Sequence, residues 1–173
     1  MSRGKKLKIN KTIPILTLVV LFALVITPVF ANGTFYYSDL IAGQDEENPV
    51  GELTIYFDAL HTMMYVKYQT TECSIVETHL WVGTDLEDVP RTGSGNPKIG
   101  HFPEVPMQVS TNEVIYEIPV TISQTYYVLA HAVVDCPCLG EETAWGEGFN
   151  ATPFSEDQDI FGKRWGYYIT VWV

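Results

Sequence analysis

"YYVLAHAVV" (126–134) decides the fold. Its side chains are aromatic, branched or small, with His131 the one strongly polar group, so both faces of an extended segment here are apolar. A strand apolar on both faces belongs in the middle of a sheet. "THLWVG" (78–83) is a second short, largely apolar strand. Around these two the chain alternates. In "GELTIYF" (51–57) Leu53, Ile55 and Phe57 alternate with Glu52, Thr54 and Tyr56. In "TMMYVKYQ" (62–69) Met64, Val66 and Tyr68 alternate with Tyr65, Lys67 and Gln69. "EVIYEIPV" (113–120) alternates again, with Pro119 marking its end or an edge, and "WGYYITVWV" (165–173) is an aromatic and β-branched end strand. "GTFYYSDL" (33–40) is a first strand or a lead-in. Alternation with β-branched and aromatic enrichment is the signature of strands.

No helical period persists after Ala31. Turn-rich segments separate the strands: "AGQDEENPVG" (42–51), "PRTGSGNPKIGHFPEVP" (90–106) with four prolines and three glycines, and "GFNATPFSEDQDIFGKRWG" (148–166). Loops of that length in a compact domain are often functional. Six or seven short strands joined by turns predict an all-β fold, an antiparallel β-sandwich of immunoglobulin-like or jelly-roll-like kind.

Ahead of this stands a different kind of segment. Arg3, Lys5, Lys6, Lys8 and Lys11 precede an apolar run from Ile13 to Phe30, closed by Val29-Phe30-Ala31. A basic start, an apolar middle and a small-residue end describe a secretory signal over residues 1–31. The run is also at the lower limit for spanning a bilayer, so an uncleaved membrane anchor through residues 13–30 is the alternative. Either way residues 32–173 are expected as a single extracellular or cell-surface domain. All 21 acids lie after Ala31 with only five bases (Lys67, Arg91, Lys98, Lys163, Arg164), a net charge of −16 with the histidines neutral. Nucleic acid and anionic membrane surfaces, which need clustered cations, are excluded as partners.

Three cysteines, Cys73, Cys136 and Cys138, are expected in an oxidising compartment. A ring closed across Pro137 alone is strained, so Cys73 pairs with Cys136 or with Cys138, closing a loop of about 65 residues and leaving one thiol over.

The segments "ETHLWVG" (77–83), "YVLAHAVV" (127–134), "ETAWGEG" (142–148) and "FGKRWGYY" (161–168) together resemble a loosely defined group of secreted bacterial and archaeal β-sandwich proteins. The resemblance covers roughly Gly51 to Tyr168. It implies the fold and an exported location. It carries over no catalytic residue, and the CPC stretch before the third segment is particular to this chain.

The residues offer several chemistries. His131 shares a strand face with Tyr127, Leu129 and Val133, and His79 shares one with Glu77 and Trp81. If these strands pair, two histidines and a carboxylate such as Glu77 or Glu142 suit zinc or copper. Glu141, Glu142 and Glu147, with Glu156, Asp157 and Asp159, are oxygen ligands for calcium, the candidate cofactor. Glu77 and Glu142 are a conceivable glycosidase pair. A Cys-Pro-Cys redox pair lacks the helix N-terminus that lowers a thiol pKa. The blander reading of "GEETAWGEG" (140–148) is a solvated, glycine-bent acidic loop. Tyrosine doublets on strands put one ring outward each, a platform for sugars or another protein. Asn32 and Asn150 head N-x-[ST] glycosylation signals.

With no convincing catalytic set, the sequence predicts a non-enzymatic adhesion, matrix, surface-layer or filament component, partnered by other copies of itself, surface proteins or glycans. A carbohydrate- or calcium-binding module is the alternative, and a metal-dependent enzyme comes third. The end strand is expected to be open, free to add to a neighbour's sheet edge.

Overall fold

The computed structural model describes residues 35–43, 49–103, 107–148, 150–162 and 164–173. The signal or anchor segment 1–31 and the glycosylation candidate Asn32 lie outside these residues. Among the described residues no helix is long and apolar enough to cross a membrane.

The architecture is all-β and antiparallel. The strands are β1 (Tyr36–Ala42), β2 (Pro49–Phe57), β3 (Met63–Thr70), β4 (Ser74–Gly83), β5 (Met107–Thr111), β6 (Glu113–Pro119), β7 (Thr125–Cys136), β8 (Gly140–Glu147), β9 (Ala151–Pro153) and β10 (Tyr167–Trp172). The helical elements among the described residues are three single 3₁₀ turns, in the loops.

Hydrogen bonding links the strands into one sheet in the order β5-β4-β7-β8-β1-β2-β3-β6, with β10 joined to β7 and β9 to β10. The expected sandwich divides strands between two separately paired sheets; this pairing does not. Instead the sheet is nearly closed into a barrel. Only Asn112 separates β5, which pairs with β4, from β6, which pairs with β3. One length of chain therefore crosses from one end of the path to the other. Asn112 pins the crossing: its carbonyl accepts from Thr70 N–H at 2.9 Å and its Nδ2 donates to the Cys73 carbonyl at 3.0 Å. The hydroxyls of Thr78 and Tyr116 meet across the same seam at 2.7 Å.

Alternation decides which side chains go inside. Met64, Val66 and Tyr68 of β3 and Leu53 and Ile55 of β2 are fully buried, while Tyr65, Lys67 and Thr54 stand outside. Val128, Ala130, Ala132 and Val134 of β7 complete the barrel interior. A second core lies on the outer face of β4, β7 and β8, made of Trp81, Leu129 and Trp145 with Leu86, Val89, Phe102, Phe154, Phe161, Tyr167 and Tyr168. It explains why β7 is apolar on both faces: one face lines the barrel, the other is roofed by loops.

Three expectations are corrected. The "GEETAWGEG" loop is mostly strand β8, because its odd and even positions have different destinations: Ala144 enters the barrel core and Trp145 the outer one. The C-terminal strand is not open. Ile169, Val171 and Val173 are buried in the barrel, β10 pairs with β7, and the Tyr36 hydroxyl accepts from Trp172 N–H at 2.9 Å. And in the Tyr167-Tyr168 doublet neither ring points outward, because both sides of β10 are covered there.

Candidate functional site

The antiparallel register of β4 and β7 sets His79 directly opposite His131, and that of β7 and β8 sets Trp145 opposite His131 on its other side. Directly opposed residues share a face, so three rings stand in a row outside the barrel. The two imidazole centroids are 5.6 Å apart, and the His131 and Trp145 rings meet edge to face at 4.9 Å. Glu77, two residues before His79 on the same face, brings Oε1 to 3.3 Å from His79 Nε2. That contact favours the tautomer with the proton on Nε2.

Glu142 and Glu147 are not part of this row. Glu142 pairs with Val134, on the opposite side of the sheet from Trp145, and Glu147 pairs with Asp39 of β1. Glu77 and Glu142 thus occupy opposite faces and do not flank a common substrate. Glu141 and Glu147 sit six residues apart on one strand, about 20 Å at 3.3 Å per residue. Glu156 and Asp159 are exposed, and Asp157 accepts a hydrogen bond from the Tyr168 hydroxyl. Burial and that hydrogen bond push the Tyr168 phenol up to about 12. No group of three or more His, Cys, Asp or Glu side chains arranged to hold a metal is found among the described residues. Asn150 is half-buried, and its carbonyl accepts from Thr170 N–H at 3.1 Å.

The cysteines have separate roles. Cys73 and Cys136 form a disulfide, with Cα atoms 4.2 Å apart. Cys138 is an exposed free thiol in the turn between β7 and β8. Gly140 closes that turn with φ of 74°, a left-handed conformation that glycine takes without steric cost. "CPCLG" is therefore a hairpin turn beside a structural disulfide.

His131 is 4% exposed, and burial, followed by the nearby His79, holds its pKa down to about 3. Its Nδ1 is buried without a hydrogen-bond partner among the described residues, as is Nδ1 of His79. The ring is neutral throughout the physiological range.

Two long loops roof this face, both of them the turn-rich segments of the sequence. Arg91 ties them together: one guanidinium nitrogen donates to the Ile160 carbonyl at 2.9 Å, the other to the Glu87 carboxylate at 2.6 Å. Gly162 lies so close to the first loop that a Cβ there would come within 2.6 Å of the Ser94 carbonyl. Beneath them Trp145, Phe154, Phe161 and Tyr168 pack ring on ring, at 5.2, 4.4 and 5.9 Å.

Where the roof meets the sheet there is a cleft of about 400 Å³, lined by Pro97, Ile99, His131, Thr143, Trp145, Phe154, Arg164 and Trp165. Its volume lies in the range of small-ligand sites, and its walls combine apolar and aromatic side chains with the polar groups of His131, Thr143 and Arg164. Sequence reasoning singled out His131 but not the cleft. Arg164 entered only as one base among five; its neighbours Pro97 and Ile99 come from a loop more than 60 residues away. Comparison with protein-family models, with curated proteins and with solved structures gives no match.

Proposed function

We propose that this chain is an exported, non-catalytic surface or matrix protein that acts by binding, and that the cleft above His131 and Trp145 is where it binds. The observation that carries the reading is the floor of the cleft. Its titratable group, His131, is held neutral down to about pH 3. Such an imidazole is a poor proton acceptor near neutral pH, where a general base is most effective with a pKa close to 7. The floor is suited to packing and hydrogen bonding. The four segments that carry the resemblance to exported β-sandwich proteins support this. They supply Glu77, His79 and Trp81; His131; Thr143 and Trp145; and Phe161, Arg164 and Trp165, all on one face. In this reading the barrel is a flattened variant of the expected sandwich.

Self-assembly is the second reading, favoured by a separate surface. On the outside of β2 and β3, Phe35, Tyr56 and Tyr65 stack in a ladder with centroids 6.1 and 4.9 Å apart, and Phe35 is 54% exposed. Exposed apolar patches mark interaction sites. Native mass spectrometry combined with thermal melts separates the two. The binding reading expects a monomer whose melting temperature rises with one member of a glycan and calcium panel, by about 2.7 kcal/mol of stabilisation at a hundred times Kd. A flat melting temperature across the panel, with a multimer dispersed by Tyr65→Ser, reverses the order.

A further inference from the structure

We infer that the cleft selects an acidic saccharide: a sugar ring stacked on its aromatic wall, with the carboxylate of a uronic acid at Arg164. The inference rests on the binding reading above and names its ligand.

The first observation is an absence of like charge. Past Ala31 the chain carries 21 acids and five bases, yet among the described residues none that lines the cleft is an aspartate or glutamate. A second cleft, of about 530 Å³, adjoins it and is lined by Ser94, Asn96, Gln158, Phe161, Gly162 and Arg164, again with no carboxylate among the described residues. On so acidic a protein an anion is repelled at long range. A pocket that admits one must clear acids from its walls and supply a cation. Both conditions are met here.

The cation is Arg164, which lines both clefts and makes no ion pair or hydrogen bond among the described residues. Its guanidinium presents a planar fork of donors that matches a carboxylate. Lys163 precedes it in sequence, so two of the chain's five exported bases are adjacent.

The walls supply the rest. Trp165, half-buried, gives the first cleft a partly exposed ring that suits the C–H face of a pyranose; Trp145 and Phe154 also line the cleft but are buried. Ser94, Asn96 and Gln158 give the second cleft hydroxyl and amide groups. These groups are exposed or half-buried and partly bonded within the loops, Asn96 Nδ2 to Ser94 Oγ at 3.1 Å and Gln158 Nε2 to the Ser155 carbonyl at 3.0 Å, and their remaining hydrogen-bonding capacity matches the hydroxyls of a sugar ring.

The test is calorimetric titration of the exported protein with trigalacturonate and with neutral galactotriose, on the wild type and on Arg164→Gln and Trp165→Ala. The expected result is binding of the acidic trisaccharide at least tenfold tighter than the neutral one. Arg164→Gln should abolish that preference at unchanged melting temperature, because Arg164 is exposed. Trp165→Ala should weaken both sugars. Equal binding of the two sugars, insensitive to Arg164→Gln, overturns the acidic-ligand inference and leaves the binding reading standing. No binding of either sugar overturns the inference; if the glycan and calcium panel is flat as well, the binding reading falls with it.

Discussion

His131 makes the fold acid-sensitive by a calculable amount. In the unfolded chain its pKa is near the ordinary 6.5; in the folded chain burial and His79 lower it to about 3. Between those values the unfolded state binds a proton that the folded state refuses. Stability is therefore fully present above about pH 6.5 and is lost as pH falls toward 3. From pH 7 to pH 5 the loss is about 2 kcal/mol, and by pH 4 about 3 kcal/mol. This is a large share of the 5–15 kcal/mol that holds a typical domain together. His131→Gln keeps a polar side chain of similar size and removes the titration. Urea unfolding of wild type and variant at pH 7, 6 and 5 should show the wild type losing about 2 kcal/mol more than the variant over that interval. Asp58, whose carboxyl is held below the usual range by the N–H groups of Met63 and Thr62, titrates only below it. Parallel wild-type and variant curves from pH 7 to pH 5 would refute the claim that the imidazole is buried and neutral.

Two further outcomes test the staple and the roof. Replacing Cys73 and Cys136 together with alanine releases a loop whose ends are 63 residues apart and should cost about 4 kcal/mol in urea unfolding, while Cys138→Ser should cost nothing measurable. A loss from Cys138→Ser as large as that from the double variant would show that the wrong cysteine has been assigned to the bond. Gly162→Ala puts a Cβ 2.5 Å from Asn96 Oδ1 and 2.6 Å from the Ser94 carbonyl, forcing the two roof loops apart at about 1–3 kcal/mol. Hydrogen exchange at Gly95 and Phe161 should accelerate in that variant and not in Gly93→Ala, where the added methyl group meets nothing within 4 Å. Equal exchange in both variants would mean that the loops do not pack as described.

Much of this protein is written locally. The strand period places Leu53, Ile55, Met64, Val66 and Tyr68 inside the barrel before any partner strand is known, because successive side chains on a strand point to opposite faces. The same rule puts Glu77 with His79, and His131 with Leu129, on their faces. The four prolines and three glycines of 90–106 mark it as a loop; 148–166 reads as a loop too, although Ala151–Pro153 within it forms the short strand β9 against β10. The two cysteine pairings that were open share Cys73 for a local reason as well: one proline is too short a bridge.

What needed the tertiary structure is everything that depends on register between distant strands. His79 meets His131 only because β4 and β7, 52 residues apart at that pair, align with those residues opposed; a slip by one residue would send one ring into the barrel. Cys136 rather than Cys138 reaches Cys73 because the hairpin turns between them, leaving Cys136 buried beside β4 and Cys138 in solvent. "GEETAWGEG" reads as a loop from its glycines and acids, and becomes a strand only because β7 and β1 hold its two edges. The nearly closed path of the sheet and the cleft with Arg164 are the furthest from the sequence. Each joins pieces of chain far apart in sequence, and such contacts are selected by packing and loop closure over the whole molecule, which no window of residues contains.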